Sequence, residues 1–119
     1  MQKLTVYTST VDYDGPDKLD ITAKSGGEVG APFAPSWALV MEHRTNQISW
    51  RQYVELYAER MRASYRDNRD AWNKLLERDR VVLCCYCKPG SNCHRYLLTN
   101  ILKIVCESRG INFEYGGEK

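Results

Sequence analysis

No apolar run in this chain approaches the roughly 20 residues that a membrane-spanning helix needs. The first ten residues, MQKLTVYTST, hold no signal-peptide core, so a cytoplasmic protein with no membrane partner is expected. Charge of one sign is also scarce, with a formal net charge of +2. A dedicated duplex-binding protein carries a larger basic excess or a clustered basic stripe. Here the arginines between Arg51 and Arg80 alternate with Glu55, Glu59, Asp67, Asp70, Glu77 and Asp79, the pattern of a solvated helix face. Double-stranded nucleic acid is therefore disfavoured as a partner. Internal repeats and low-complexity segments are absent as well. A balance of 43% hydrophobic and 27% charged residues over 119 positions suits one folded domain, residues 1–119.

The cysteine motifs that would settle a chemistry are missing too. Five cysteines is an odd count, and four of them fall between positions 84 and 93, which excludes the spread, even-numbered framework of a secreted scaffold. The one Cys-x-x-Cys spacing, Cys84 to Cys87, runs along the expected strand and not at a helix start as the thioredoxin motif does, and Cys87 is followed by seven residues before Arg95, where a phosphatase signature has five. Cys84, Cys85 and Cys106 read most simply as core. Zinc ligation by Cys85, Cys87, Cys93 and His94 lacks the paired spacing of zinc knuckles, and adjacent side chains such as Cys93 and His94 seldom turn to one ion. No metal and no cofactor is expected, with zinc the lesser alternative.

What is present is a pattern of alternating strands and helices. LTVYTST (Leu4 to Thr10) reads as a first strand, followed by a turn over Asp12 to Pro16 and a short strand around Leu19 to Ala23. Lys24 to Ser36, rich in Gly and Pro, reads as one long loop. Ser36 and Ser49 are N-cap candidates. His43 falls near the end of the short helix behind Ser36, where it would complement that helix terminus. Behind Ser49, Trp50, Tyr53, Val54, Tyr57, Ala58, Met61 and Tyr65 recur at helical steps, and Trp72, Leu75 and Leu76 extend the stripe. With no Pro or Gly from Ser49 to Arg80, this is one long helix or two with a break near Asp67-Asn68, its aromatics read as core. Val81 to Cys87 is apolar on both faces, as a sandwiched strand is. A helix follows from Cys93 to Arg109-Gly110, then a final strand over Ile111 to Tyr115 and a loose tail, GGEK. The fold expected is α/β, small and Rossmann-like, with a largely parallel sheet of about four strands flanked by helices.

The segment VVLCCYCKPGSNCHRYLLTNIL carries the candidate site. A strand, a Pro-Gly turn over Lys88 to Asn92 and a helix start together form an anion cradle, because the first helical N–H groups are unpaired and carry partial positive charge. Gly90 lets the backbone approach a ligand, and Lys88, Ser91, Asn92 and Arg95 are the groups that would hold an anion. Arg95 sits in a first helical turn, where acidic residues are preferred, so it calls for an anion to face; a ligand is favoured, with Glu114 or Glu118 as the alternative. Cys93 and His94 are the catalytic candidates, a thiol activated at a helix start and an acid-base group. Ligands of α/β sheets bind beyond the carboxyl ends of strands. Thr8 and Ser9, Lys24, and Tyr86, Cys87 and Lys88 are expected to converge there.

LCCYCKPGSNCHRYLL, with FAPSW (Phe33 to Trp37), the Tyr-rich helix and the terminal FEYGGE, resembles a compact subgroup of the family called domain of unknown function 488, found in bacteria, archaea and phages. The resemblance covers most of the chain and rests chiefly on the Cys-His-Arg motif. It implies a Rossmann-like fold, a site at Cys87, Cys93, His94 and Arg95, and contributions from Ser36 and Trp37. The function expected is binding of a nucleotide-like small molecule or phosphosugar, with action on a glycosidic or phosphoester bond left open because no carboxylate pair is legible. Non-catalytic sequestration of a nucleotide-derived host signal by a phage-type protein is one alternative, and a zinc-stabilised interaction module is another.

Overall fold

The computed structural model describes residues 2–23, 27–86 and 92–119. Four strands, β1 (Lys3–Thr10), β2 (Lys18–Asp20), β3 (Arg80–Cys85) and β4 (Asn112–Glu118), form one sheet in the order β2-β3-β1-β4. Every neighbouring pair is parallel. Five α-helices stand in the described residues: α1 (Gly27–Gly30), α2 (Trp37–Arg44), α3 (Trp50–Asp67), α4 (Arg69–Leu76) and α5 (His94–Arg109). The expected α/β class and parallel sheet are as observed.

The connections from β2 to β3 and from β3 to β4 step the same way across the sheet, so right-handed crossovers put their helices on one face. Leu4, Val6, Val81 and Leu83 point to that face. They pack with Tyr57, Met61, Trp72, Leu98 and Leu102 in a continuous core. Val82 and Cys84 alternate to the other face and are buried as well. The short 11–17 connection, which steps the opposite way from β1 to β2, crosses that side.

Both serine caps form. The Ser36 hydroxyl accepts from the Leu39 amide, and Ser49 makes a reciprocal capping box with Gln52. The long helical stretch is two helices, since Asn68 (φ −121°, ψ 40°) leaves helical geometry between α3 and α4. From α3 three side chains grip the segment before α2. Tyr57 Oη donates to the Phe33 carbonyl, Arg60 Nε to that of Ala34, and Ser64 Oγ to that of Pro32.

Three boundaries differ from expectation. The long loop is not structureless: α1 and a 3-10 turn (Ala31–Phe33) occupy its second half. A side chain at Gly30 would run into the Asp20 carbonyl, so glycine lets this segment press on the end of β2. β2 ends at Asp20 and β3 at Cys85, both shorter than expected. The tail is not loose either. Gly116 and Gly117 belong to β4, where a register shift opposite Val6 and Tyr7 absorbs the positive φ of Gly117 (106°). Gly116 lies against the Tyr7 ring, where a side chain would collide. This carries Glu118 into register with Thr8.

Candidate functional site

A pocket of about 480 Å³ opens beyond the carboxyl ends of β2 and β3. Thr22 and Ala23 leave β2 into it, Cys85 and Tyr86 close β3 beside it, and Asn92, Cys93 and His94 open α5 at its floor. Its wall comes from α2 and the first turn of α3: Trp37, Val40, His43, Arg44, Trp50 and Tyr53. Trp50 and Tyr53 stack with centroids 5.0 Å apart, and the His43 ring tilts against both at 5.5 and 5.3 Å. The Arg44 guanidinium stands 6.0 Å over the Trp37 ring.

His94 is buried, and its Nε2 lies 2.6 Å from the Ile21 carbonyl oxygen. A carbonyl only accepts, so Nε2 carries the proton and Nδ1 presents a lone pair. That lone pair faces Cys93 Sγ at 3.9 Å. Burial pushes the imidazole down to about 4, and the Ile21 carbonyl only partly offsets this. The convergence of adjacent side chains has a backbone cause. Cys93 is the N-cap in extended conformation (φ −153°, ψ 146°), whereas His94 is the first helical residue. The turn between the two conformations swings both side chains to one point. The expectation that neighbours diverge is thereby corrected.

Cys85 completes this corner. Its sulfur touches that of Cys93, and Arg95 Nη1 donates to it at 2.9 Å. Cys85 is therefore more than core filling. Cys84 and Cys106 are buried free thiols, and burial pushes Cys84 up to about 11.

Of the sequence candidates, Trp37, Tyr86, Asn92, Cys93 and His94 meet in the pocket. Lys24, Cys87, Lys88 and Ser91 lie outside the described residues. Thr8, Ser9, Ser36 and Arg95 do not line the pocket. Ser36 caps α2. Thr8 donates to Glu118 at 2.7 Å, and Ser9 donates to the Lys119 carbonyl at 3.2 Å. The strand order accounts for this, because β1 lies on the far side of β3 from β2. Arg95 is fully buried, and the anion it faces is Glu118 at 3.3 Å, with Tyr96 Oη bonded to both partners. Of the two carboxylates named for Arg95, Glu118 is its partner, while Glu114 pairs with Lys3.

Sequence reasoning missed Thr22, His43, Arg44, Trp50, Tyr53 and Cys85 as pocket residues. His43 does lie in the last turn of α2, but its ring packs into the aromatic wall. The usable signal was the crowding of aromatic and basic residues from Trp37 to Tyr53.

Residues 17–104 match the family DUF488-N3a, described as the active DUF488-N3 subclade. The chain belongs to the DUF488 family. The match takes in both walls of the pocket and the Cys-His-Arg helix start, so the family resemblance read from the sequence holds. No curated protein and no solved structure matches the chain. Among the described residues, no helix is long and apolar enough to cross a membrane.

Proposed function

We propose that this DUF488 protein binds a nucleotide-like small molecule in the pocket between α2, α3 and the start of α5. The observation that carries the reading is the aromatic wall of Trp37, Trp50 and Tyr53, with Arg44 beside it and the α5 N-terminus below. A heterocyclic base has the flat π-face that such walls stack, at about 1–3 kcal/mol per stacked base. A phosphate would lie towards the first amides of α5, with Arg44 in the adjoining wall as the nearby cation. The wall favours a base-bearing ligand over a plain phosphosugar, which offers no flat ring. His94 and Cys93 at the floor are the groups that would meet the reacting end of the ligand.

Sequestration without turnover is the second reading. What favours it is that the described lining holds no Asp or Glu, whereas glycosidic cleavage ordinarily uses a carboxylate pair. Both readings are tested by thermal unfolding with nucleosides, nucleoside mono- and diphosphates, cyclic nucleotides and phosphosugars, followed by chromatography of the recovered ligand. A ligand at 100 times its Kd should add about 2.7 kcal/mol, a rise of several degrees that falls to about half or less in Trp50→Ala. Unchanged ligand supports sequestration and new products support catalysis. No shift with any base-bearing compound at millimolar concentration would overturn the reading.

A further inference from the structure

We propose that Cys85, Cys93 and His94 bind a zinc ion whose fourth coordination position faces the pocket. The three donor atoms lie within 4.8 Å of one another, and all three residues are buried. Two thiolates and an imidazole form the borderline-soft set that selects zinc, and the three protein ligands found among the described residues leave the one open position of a reactive rather than a structural site.

The geometry suits an ion in three respects. First, His94 donates Nε2–H to the Ile21 carbonyl, which fixes the ring and aims the Nδ1 lone pair at Cys93. That is the outer-shell arrangement metal-bound histidines show. Second, Cys93 Sγ and His94 Nδ1 are 3.9 Å apart, close to the roughly 3.6 Å that tetrahedral zinc imposes on a sulfur and a nitrogen ligand. Third, the Cα atoms of Cys85 and Cys93 stand 7.9 Å apart. That is wider than the roughly 7 Å a disulfide ordinarily spans, and it leaves room for the two sulfurs, in contact here, to part to the roughly 3.8 Å that two thiolates take around zinc.

Charge also balances. Two thiolates neutralise the dication, and Arg95, which donates to Cys85 Sγ, is neutralised by Glu118. A guanidinium that bonds a metal-bound thiolate tempers its charge without adding net charge to the buried corner. The ion reaches the ligands through the pocket, which all three border. The site stands independently of the nucleotide reading, because metal uptake is measured without any organic ligand.

The test uses the full chain without a histidine tag, purified under reducing conditions from zinc-supplemented medium. About one zinc per chain is expected by elemental analysis. Replacement by Co²⁺ should give thiolate-to-cobalt charge transfer and the intense d–d bands of a tetrahedral site. Cys93→Ser and His94→Gln should each weaken zinc affinity at least tenfold, measured against a chromogenic chelator, with folding checked by circular dichroism. If either variant fails to fold, the wild-type cobalt spectrum decides alone. Under a tenth of an equivalent of zinc after reconstitution, with no charge-transfer band, would overturn the proposal. A Cys85–Cys93 disulfide that survives reductant and blocks metal uptake would do so equally.

Discussion

His94 Nε2 donates to the carbonyl oxygen of Ile21 at 2.6 Å, tying the first residue of α5 to the chain as it leaves β2. The bond spans 73 positions and joins the exit of β2 to the helix start that floors the pocket. It therefore positions the floor of the site as well as stabilising it. His94→Ala removes the donor and leaves a buried carbonyl unsatisfied beside a small cavity. We expect a loss of about 2–3 kcal/mol in denaturant unfolding of the metal-free protein. A loss under 0.5 kcal/mol would mean that water replaces the ring.

Ser64 joins three elements through one hydroxyl. It donates to the Pro32 carbonyl at 2.6 Å and accepts from Trp72 Nε1 at 3.0 Å, with Asn68 also in reach at 3.4 Å. Ser64→Ala strands two buried polar groups at once, and we expect it to cost about 2 kcal/mol. Tyr57→Phe, which strands only the Phe33 carbonyl, should cost about 1 kcal/mol. The order of the two effects, read from urea midpoints, checks the argument independently of absolute values.

These two hubs also show what a sequence conveys. The Ser36 and Ser49 caps are legible because a cap is satisfied within three residues of itself. The stripe from Tyr53 to Leu76 is legible as core because helical periodicity is local. Which turn of that stripe stays uncovered is not local. Trp50 and Tyr53 line a pocket because of where α2 and the start of α5 pack around them, and residue spacing carries no such information. The Gly-Gly pair reads as a loose end because glycine is rare in strands, yet here only glycine fits against Tyr7. The partner of Arg95 depends on β4 lying beside β1, so the carboxylate becomes identifiable only once the strand order is known.

The pocket wall gives a prediction on affinity. Trp50 stacks on Tyr53 and is only half-buried, so its removal trims the wall without emptying the core. Trp50→Ala should lower the affinity for the base-bearing ligand by about tenfold or more, which corresponds to one lost stacking surface. Trp50→Phe should restore most of it. Calorimetry on both variants distinguishes stacking from a general loosening of α3, because loosening would not be rescued by phenylalanine.

Acid should act through Asp17. Its carboxylate accepts from Tyr13 Oη at 2.6 Å and from Arg80 Nε at 2.7 Å, closing the 11–17 connection against the start of β3. The Tyr13 hydrogen bond, followed by Arg80, holds its pKa below the ordinary carboxylate value. A lowered folded-state pKa means that the unfolded chain binds the proton more readily, so stability falls with falling pH. The contribution is present above the unfolded value near 4 and disappears as pH drops through the folded one. Asp17→Asn should lower Tm by a few degrees at pH 7 and flatten the Tm profile below pH 4. An unchanged acid limb in the variant would assign that limb to other carboxylates.

Glu118 presents the sharpest case, because it lies in the segment that reads as a loose tail. Its carboxylate takes bonds from Thr8, Tyr96 and Arg95, and Arg95 has no exposure of its own. Glu118→Gln keeps the shape and most hydrogen bonds but removes the charge that balances a buried guanidinium. Breaking a buried pair from one side costs about 3–5 kcal/mol, and the partial exposure of Glu118 reduces this to about 2 kcal/mol. Arg95 also holds Cys85, so the uncompensated cation would change that thiol. It should speed alkylation of Cys85 in the metal-free protein, since a nearby uncompensated cation favours thiol reaction. Mass-spectrometric alkylation of native protein reads both consequences together. Faster labelling of Cys85 with Cys106 unchanged would show the carboxylate acting through Arg95, whereas equal acceleration at both cysteines would show only a loosened fold.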